Sequence, residues 1–104
     1  MTGNENHQIP LPDAAHLTKN FRDSHPVGTI IAHAYGKQAI LDILNQGEGQ
    51  CFGIRIYYAQ DDLGAPKLVI TGVDSNGNDL YNGPLAEFGN PCPSICSTPN
   101  QLNS

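Results

Sequence analysis

The chain has 104 residues, enough for one small domain, and carries 10 acidic against 5 basic side chains, a net charge of −5. Lys and Arg are scattered and form no basic run, which excludes nucleic-acid binding through clustered phosphate neutralisation, and no apolar stretch approaches the roughly 18 residues of a membrane span. Apolar residues make up only 38%, beside 11 Gly and 8 Pro, so a modest core flanked by much irregular chain is expected.

Residues 1–10 are polar up to Ile9-Pro10 and read as a flexible N-terminal segment. They have neither a basic n-region nor an apolar h-region, so no secretory signal is read there. The expected location is the cytoplasm, with export without a cleaved signal left open. Pro12-Asp13 then predicts a helix start, because Pro suits the first turn and an early Asp favours the positive end of the helix dipole. Ala14, Leu17 and Phe21 recur at spacings of three and four and give one apolar stripe. Asp23-Ser24-His25-Pro26 ends it, since the residue before a proline is pushed out of helical geometry.

From Val27 to Gln46 the pattern is longer. Ile40, Ile43 and Leu44 form a helical apolar face, with Asp42 and Asn45 pointing away. Its start has two readings: a long helix capped by Thr29 and running from Ile30 through Gly36, or an extended Thr29–Ala32 before a shorter helix. The long helix is favoured, because Ala32-His33-Ala34-Tyr35 contains no breaker.

The centre of the sequence is Phe52 to Val73. Phe52, Ile54, Ile56 and Tyr58 alternate with Gly53, Arg55, Tyr57 and Ala59, which predicts a strand with one buried face. Gln60 to Pro66 breaks it, and Lys67 to Val73 reads as a second strand, so the two form an antiparallel hairpin. Ile54 and Ile56 are expected to pack on the helix face of Ile40, Ile43 and Leu44. Asn76-Gly77 is a turn signal, after which Asp79-Leu80-Tyr81 could start a third strand. Beyond Tyr81 the chain carries Pro84, Pro91, Pro93 and Pro99 and shows no periodicity. The predicted fold is α+β: two helices packed on a two- or three-stranded antiparallel sheet, with an irregular Pro-rich C-terminal tail. Its parts are a flexible segment 1–10, a core 11–81 and a Pro/Cys-containing tail 82–104.

Gly53-Ile54-Arg55-Ile56-Tyr57-Tyr58, then Gly72-Val73-Asp74 with Gly77-Asn78-Asp79, then Pro91-Cys92-Pro93 with Cys96-Ser97, resembles a group of small proteins from Bacteroidota, over roughly residues 11 to 100. No activity is established for that group, so the resemblance brings no catalytic residues. It implies that the Pro-Cys-Pro tail is an integral part of the protein.

The chain has three cysteines, Cys51, Cys92 and Cys96, an odd count that argues against a disulfide-stapled secreted module. Cys92 and Cys96 lie four apart, whereas zinc knuckles and redox dithiols normally place two residues between their thiols. They are redox candidates, set against a simpler role as small half-buried thiols that pack the tail. Asp74-x-Asn76-x-Asn78 begins like a calcium loop but has Asp79 where Gly and Leu85 where Glu should stand, so a tight turn explains it. His33 with Tyr35, Cys51 with a histidine, and Asp61 beside Asp62 form no catalytic pattern, and there is no Gly-x-Ser-x-Gly, His-Glu-x-x-His or phosphate-cradling loop. Arg55 and Tyr57 share one strand face, a pair of residue types that interfaces enrich. Leu85, Phe88 and Ile95 are too apolar to hang in water and must dock on their own sheet or on a neighbour. The sequence thus predicts no catalytic, cofactor or metal site. It predicts a non-catalytic protein-interaction or self-assembly module whose partner is protein, further copies of itself included, and neither nucleic acid nor membrane. The alternative is a small thiol redox or metal-handling protein using Cys92 and Cys96.

Overall fold

The computed structural model describes residues 1–104 and has an α+β fold in the order α1 (Leu11–Asp23), β1 (Ala32–Ala34), α2 (Lys37–Leu44), β2 (Gly53–Gln60), β3 (Pro66–Val73) and β4 (Asn90–Cys92). The strands form two separate two-stranded antiparallel sheets, β2 with β3 and β1 with β4, where the sequence predicts a single sheet. Two units follow from this pairing. One comprises residues 1–5 and 35–89, the other residues 6–34 and 90–104, so the Pro-rich tail divides between them at Gly89 and Asn90. No helix is long and apolar enough to cross a membrane.

The first unit is built on the predicted hairpin. Its register pairs Gly53 with Val73, Ile56 with Ile70 and Gln60 with Pro66, without a bulge. The connection closes because the Asp61 carboxylate accepts from the Leu63 and Ala65 N–H groups at 2.9 Å, while Gly64 takes a φ of 86° that other residues resist. After β3, the Asp74 carboxylate accepts from the Asn76 and Asn78 amides. That turn returns the chain along β3: Val73 bridges Asp79, and Ile70 and Ala86 exchange backbone hydrogen bonds of 2.8 and 2.9 Å. The expected third strand at Asp79–Tyr81 is only such a bridge.

β3 is therefore flanked on both sides, and its residues Ile70 to Val73 are buried. α2 covers it through Ile43, which has no exposed surface and packs with Ile70 and Ala86, edged by Tyr35, Ala39, Ile40 and Cys51. Close approach fixes Gly72, where a Cβ would come within 3.0 Å of the Cys51 sulfur. Tyr35 donates its hydroxyl to the Leu68 carbonyl at 3.0 Å. Ile54 and Ile56 share the face of Ile70, as the alternation predicts, but they are not buried: 37% and 47% of their surfaces stay exposed. The reason is position. β2 is the edge strand, and Ile43, the buried residue of α2, packs on Ile70 and Ala86.

The second unit corrects the long helix. Residues Ala32–Ala34 are extended, and only Lys37–Leu44 are helical. Thr29 turns back on the Pro26 carbonyl through both its amide and its hydroxyl, and Gly36 stands extended (ψ 144°) before α2. The decisive term is non-local: Ala32, His33 and Ala34 pair with Cys92, Pro91 and Asn90, and the Ile31 amide donates to the Cys92 carbonyl at 2.7 Å. That ladder overrides the helix propensity of the two alanines. α1 forms where predicted, with Pro in the first turn, Asp13 near its start and Arg22 near its end. Its stripe is shallow, however. No residue of α1 is fully buried, and Leu17 and Phe21 keep 59% and 44% of their surfaces in solvent. Arg22 donates to the Leu102 and Ser104 carbonyls and so ties the C-terminal turn to the helix end.

Candidate functional site

The sequence-predicted residues fall into two groups, one on each unit. On the first unit, β2 presents two rows, because alternate side chains leave a strand on opposite faces. Ile54, Ile56 and Tyr58 form the row on the α2 side, half-exposed at the isoleucines and almost fully exposed at Tyr58. Arg55 and Tyr57 form the other row, as predicted. Both are engaged by a residue that sequence reasoning missed. The Asp79 carboxylate accepts from the Arg55 guanidinium through one oxygen and from the Tyr57 hydroxyl through the other, and Arg55 also donates to the Gly77 carbonyl at 3.1 Å. A signal for Asp79 was present: the Asn76-Gly77 turn folds it back beside Val73, one register step from the hairpin.

The electrostatics of this cluster follow from its hydrogen bonds. The Tyr57 hydroxyl, with Arg55 beside it, holds the Asp79 carboxyl below its ordinary value. The bond to Asp79 pushes the Tyr57 phenol up, because ionisation would place two negative groups together. The same carboxylate raises Arg55. The cluster is thus a charge-neutral clasp between the hairpin and the turn that follows it. The outer edge of β2 is paired with no other strand of the chain. Leu85 and Phe88 remain exposed, and it is Ala86 between them that docks on Ile70.

On the second unit, Cys92 and Cys96 are joined in a disulfide. Cys92 is buried as the last residue of β4, while Cys96 lies in the exposed loop that follows, next to the exposed Ile95. The disulfide borders a cleft of about 410 Å³ shared with Arg22, His25, Val27 and Pro99. A second cleft, of about 670 Å³, lies between α1 and β1 and is lined by Leu17, Phe21, Ile31, His33, Ile95 and Leu102. The His33 Nε2 atom is buried without a hydrogen-bond partner. Cys51, the free cysteine, donates to the Gly53 carbonyl. Nowhere do three His, Cys, Asp or Glu side chains converge in a way that could hold a metal ion.

Comparison with family models, with curated proteins and with solved structures finds no match to this chain.

Proposed function

We propose that this protein is a non-catalytic interaction module that assembles with protein, other copies of itself included. The observation that carries the reading is the outer strand of the hairpin. β2 is eight residues long, open along one edge, and lined by an apolar row that α2 leaves half uncovered. Open edges and contiguous exposed apolar rows are stabilised by further chain, and soluble proteins that keep both use them for contacts. Leu85 and Phe88, exposed on the same unit, add to the apolar surface available.

The test is the solution mass of the full chain, measured by light scattering across a dilution series. Assembly gives a mass above the 11.1 kDa of one chain that falls on dilution. A mass of one chain at every concentration, with no protein partner bound, contradicts the reading.

A second reading, thiol–disulfide exchange, draws on the Cys92–Cys96 bridge. An incoming thiolate would reach the exposed Cys96 sulfur first, form a mixed disulfide with it and expel the Cys92 thiolate. A second thiol of the same reductant would then release Cys96 and leave oxidised as a disulfide. Thiol titration after incubation with millimolar glutathione discriminates: exchange requires the titratable thiols to rise from the single Cys51 to three, with the fold retained.

A further inference from the structure

The assembly reading leaves open which surface meets which. We infer that two copies of this chain join β2 to β2 in antiparallel register about a two-fold axis at Ile56, giving one four-stranded sheet with the β3 strands outermost. The inference rests on the assembly reading and adds the partner, the surface and the register.

Three observations carry it. The first is that the edge is unguarded. Proteins block exposed edges with Pro, Lys, a bulge or a covering segment. β2 has neither Pro nor Lys, its pairing with β3 runs unbroken from Gly53 to Gln60, and Met1 and Gly3 lie against Gly53 and Phe52 at its start. Its one charge, Arg55, is folded onto Asp79 and Gly77 of its own chain and does not project past the edge.

The second is the position of the uncovered apolar surface. Ile54 and Ile56 are half-exposed, whereas the residues opposite them on β3, Gly72 and Ile70, are buried. The deficit is confined to the outer strand, where a neighbouring strand would sit.

The third is self-complementarity. A two-fold axis normal to the sheet keeps each copy's rows on their own faces, so the Ile54, Ile56 and Tyr58 rows of both copies become continuous. Only registers that pair residues of the same row are allowed. Centred on Arg55, the pairing sets Arg55 directly opposite its own symmetry mate, like charge across from like charge. Centred on Tyr57, it sets Ile54 against the polar Gln60 of the second copy. Centred on Ile56, it sets Ile56 against its own symmetry mate, Ile54 against Tyr58, and Arg55 opposite Tyr57, so that apolar residues meet apolar ones and no like charges are opposed. That register satisfies every opposed pair from Ile54 to Tyr58.

The experiment places a cysteine on the axis. In the full chain carrying Cys51→Ser, which leaves the Cys92–Cys96 bridge intact, Ile56→Cys puts two thiols directly opposite each other at the two-fold axis. Tyr58→Cys in the same background puts them four residues apart, about 14 Å. Both sites are exposed, and far-UV circular dichroism confirms that each variant keeps the parent spectrum. Mild oxidation should convert most of the Ile56→Cys chain to a covalent dimer at a concentration where the Tyr58→Cys chain stays uncrosslinked. Assembly by mass with no link at position 56, or equal linking at both positions, overturns this register while the assembly reading stands. A parent chain with the mass of one copy and no link at either position overturns both.

Discussion

Ile43 is the side chain whose truncation bears hardest on this account. It has no exposed surface and is the residue through which α2 grips Ile70 and Ala86. Ile43→Ala removes three carbons, about 2.5 kcal/mol of transfer free energy at roughly 0.8 kcal/mol per carbon. The helix above and the sheet below hold their places, so the vacated space adds on the order of 1 kcal/mol, for a total of about 3–4 kcal/mol. Small domains have about 5–15 kcal/mol in all, so a substantial part of the stability of this unit would be lost. Ile56→Ala deletes the same three carbons from a side chain that is 47% exposed. It leaves no cavity and should cost about 1 kcal/mol in the single chain. Urea titration followed by far-UV circular dichroism, at a concentration low enough for single copies, gives both numbers. The Ile43→Ala midpoint should fall steeply at unchanged slope, and the Ile56→Ala midpoint only slightly. Equal costs, or the reverse order, would show that the core lies under β2 and not where Ile43 meets Ile70 and Ala86.

Tyr35→Phe removes the donor to the Leu68 carbonyl and should lower the same urea midpoint by about 1 kcal/mol; an unchanged midpoint would mean that water replaces the bond without loss. Reducing the Cys92–Cys96 bridge opens a short loop, worth about 2 kcal/mol in the chain-entropy account, so amide exchange should accelerate in residues 90–96 and stay unchanged in β2 and β3. The acid limb of stability should follow two carboxylates held low in the folded chain. Glu5 is drawn to about 2, chiefly by the Thr2 amide, and Asp79 is held down chiefly by the Tyr57 hydroxyl. Groups depressed in this way stabilise the fold above their unfolded pKa of about 4 and lose that contribution as pH falls toward the folded value. The melting temperature should therefore be flat down to about pH 5 and then decline, with Asp79→Asn showing a shallower decline.

Much of the first unit was legible because its signals are local. The alternation from Phe52 to Tyr58 states the strand and its two faces without help from the rest of the chain. Asp61-to-Gly64 and Asp74-to-Gly77 announce turns through side chains that bond their own backbone. Pro12, Asp13 and the Ala14–Leu17–Phe21 spacing likewise mark α1. What was not legible depends on partners distant in sequence. Ala32-His33-Ala34 is a strand only because Asn90-Pro91-Cys92 lies beside it, and no feature of those three residues says so. The alternation shows that Ile54 and Ile56 face α2, yet not that Ile43 packs on Ile70 and Ala86 and leaves them half-exposed; that depends on Ala86 bridging Ile70 and making β3 the inner strand. Asp79 enters the Arg55–Tyr57 cluster for the same reason, through a turn that reverses the chain. Spacing left the state of Cys92 and Cys96 open, because bridging depends on the bend after β4.

Hydrogen exchange of the β2 amides as a function of protein concentration reads the central claim at the strand that makes it. In a single copy the outward-facing amides of β2 have no acceptor and exchange rapidly, whereas those of β3 are protected at any concentration. The account predicts that protection of the outward-facing amides from Ile54 to Tyr58 rises with concentration toward that of β3 and is lost on dilution. Rapid exchange of these amides at every concentration, in a sample whose β3 amides remain protected, would contradict it.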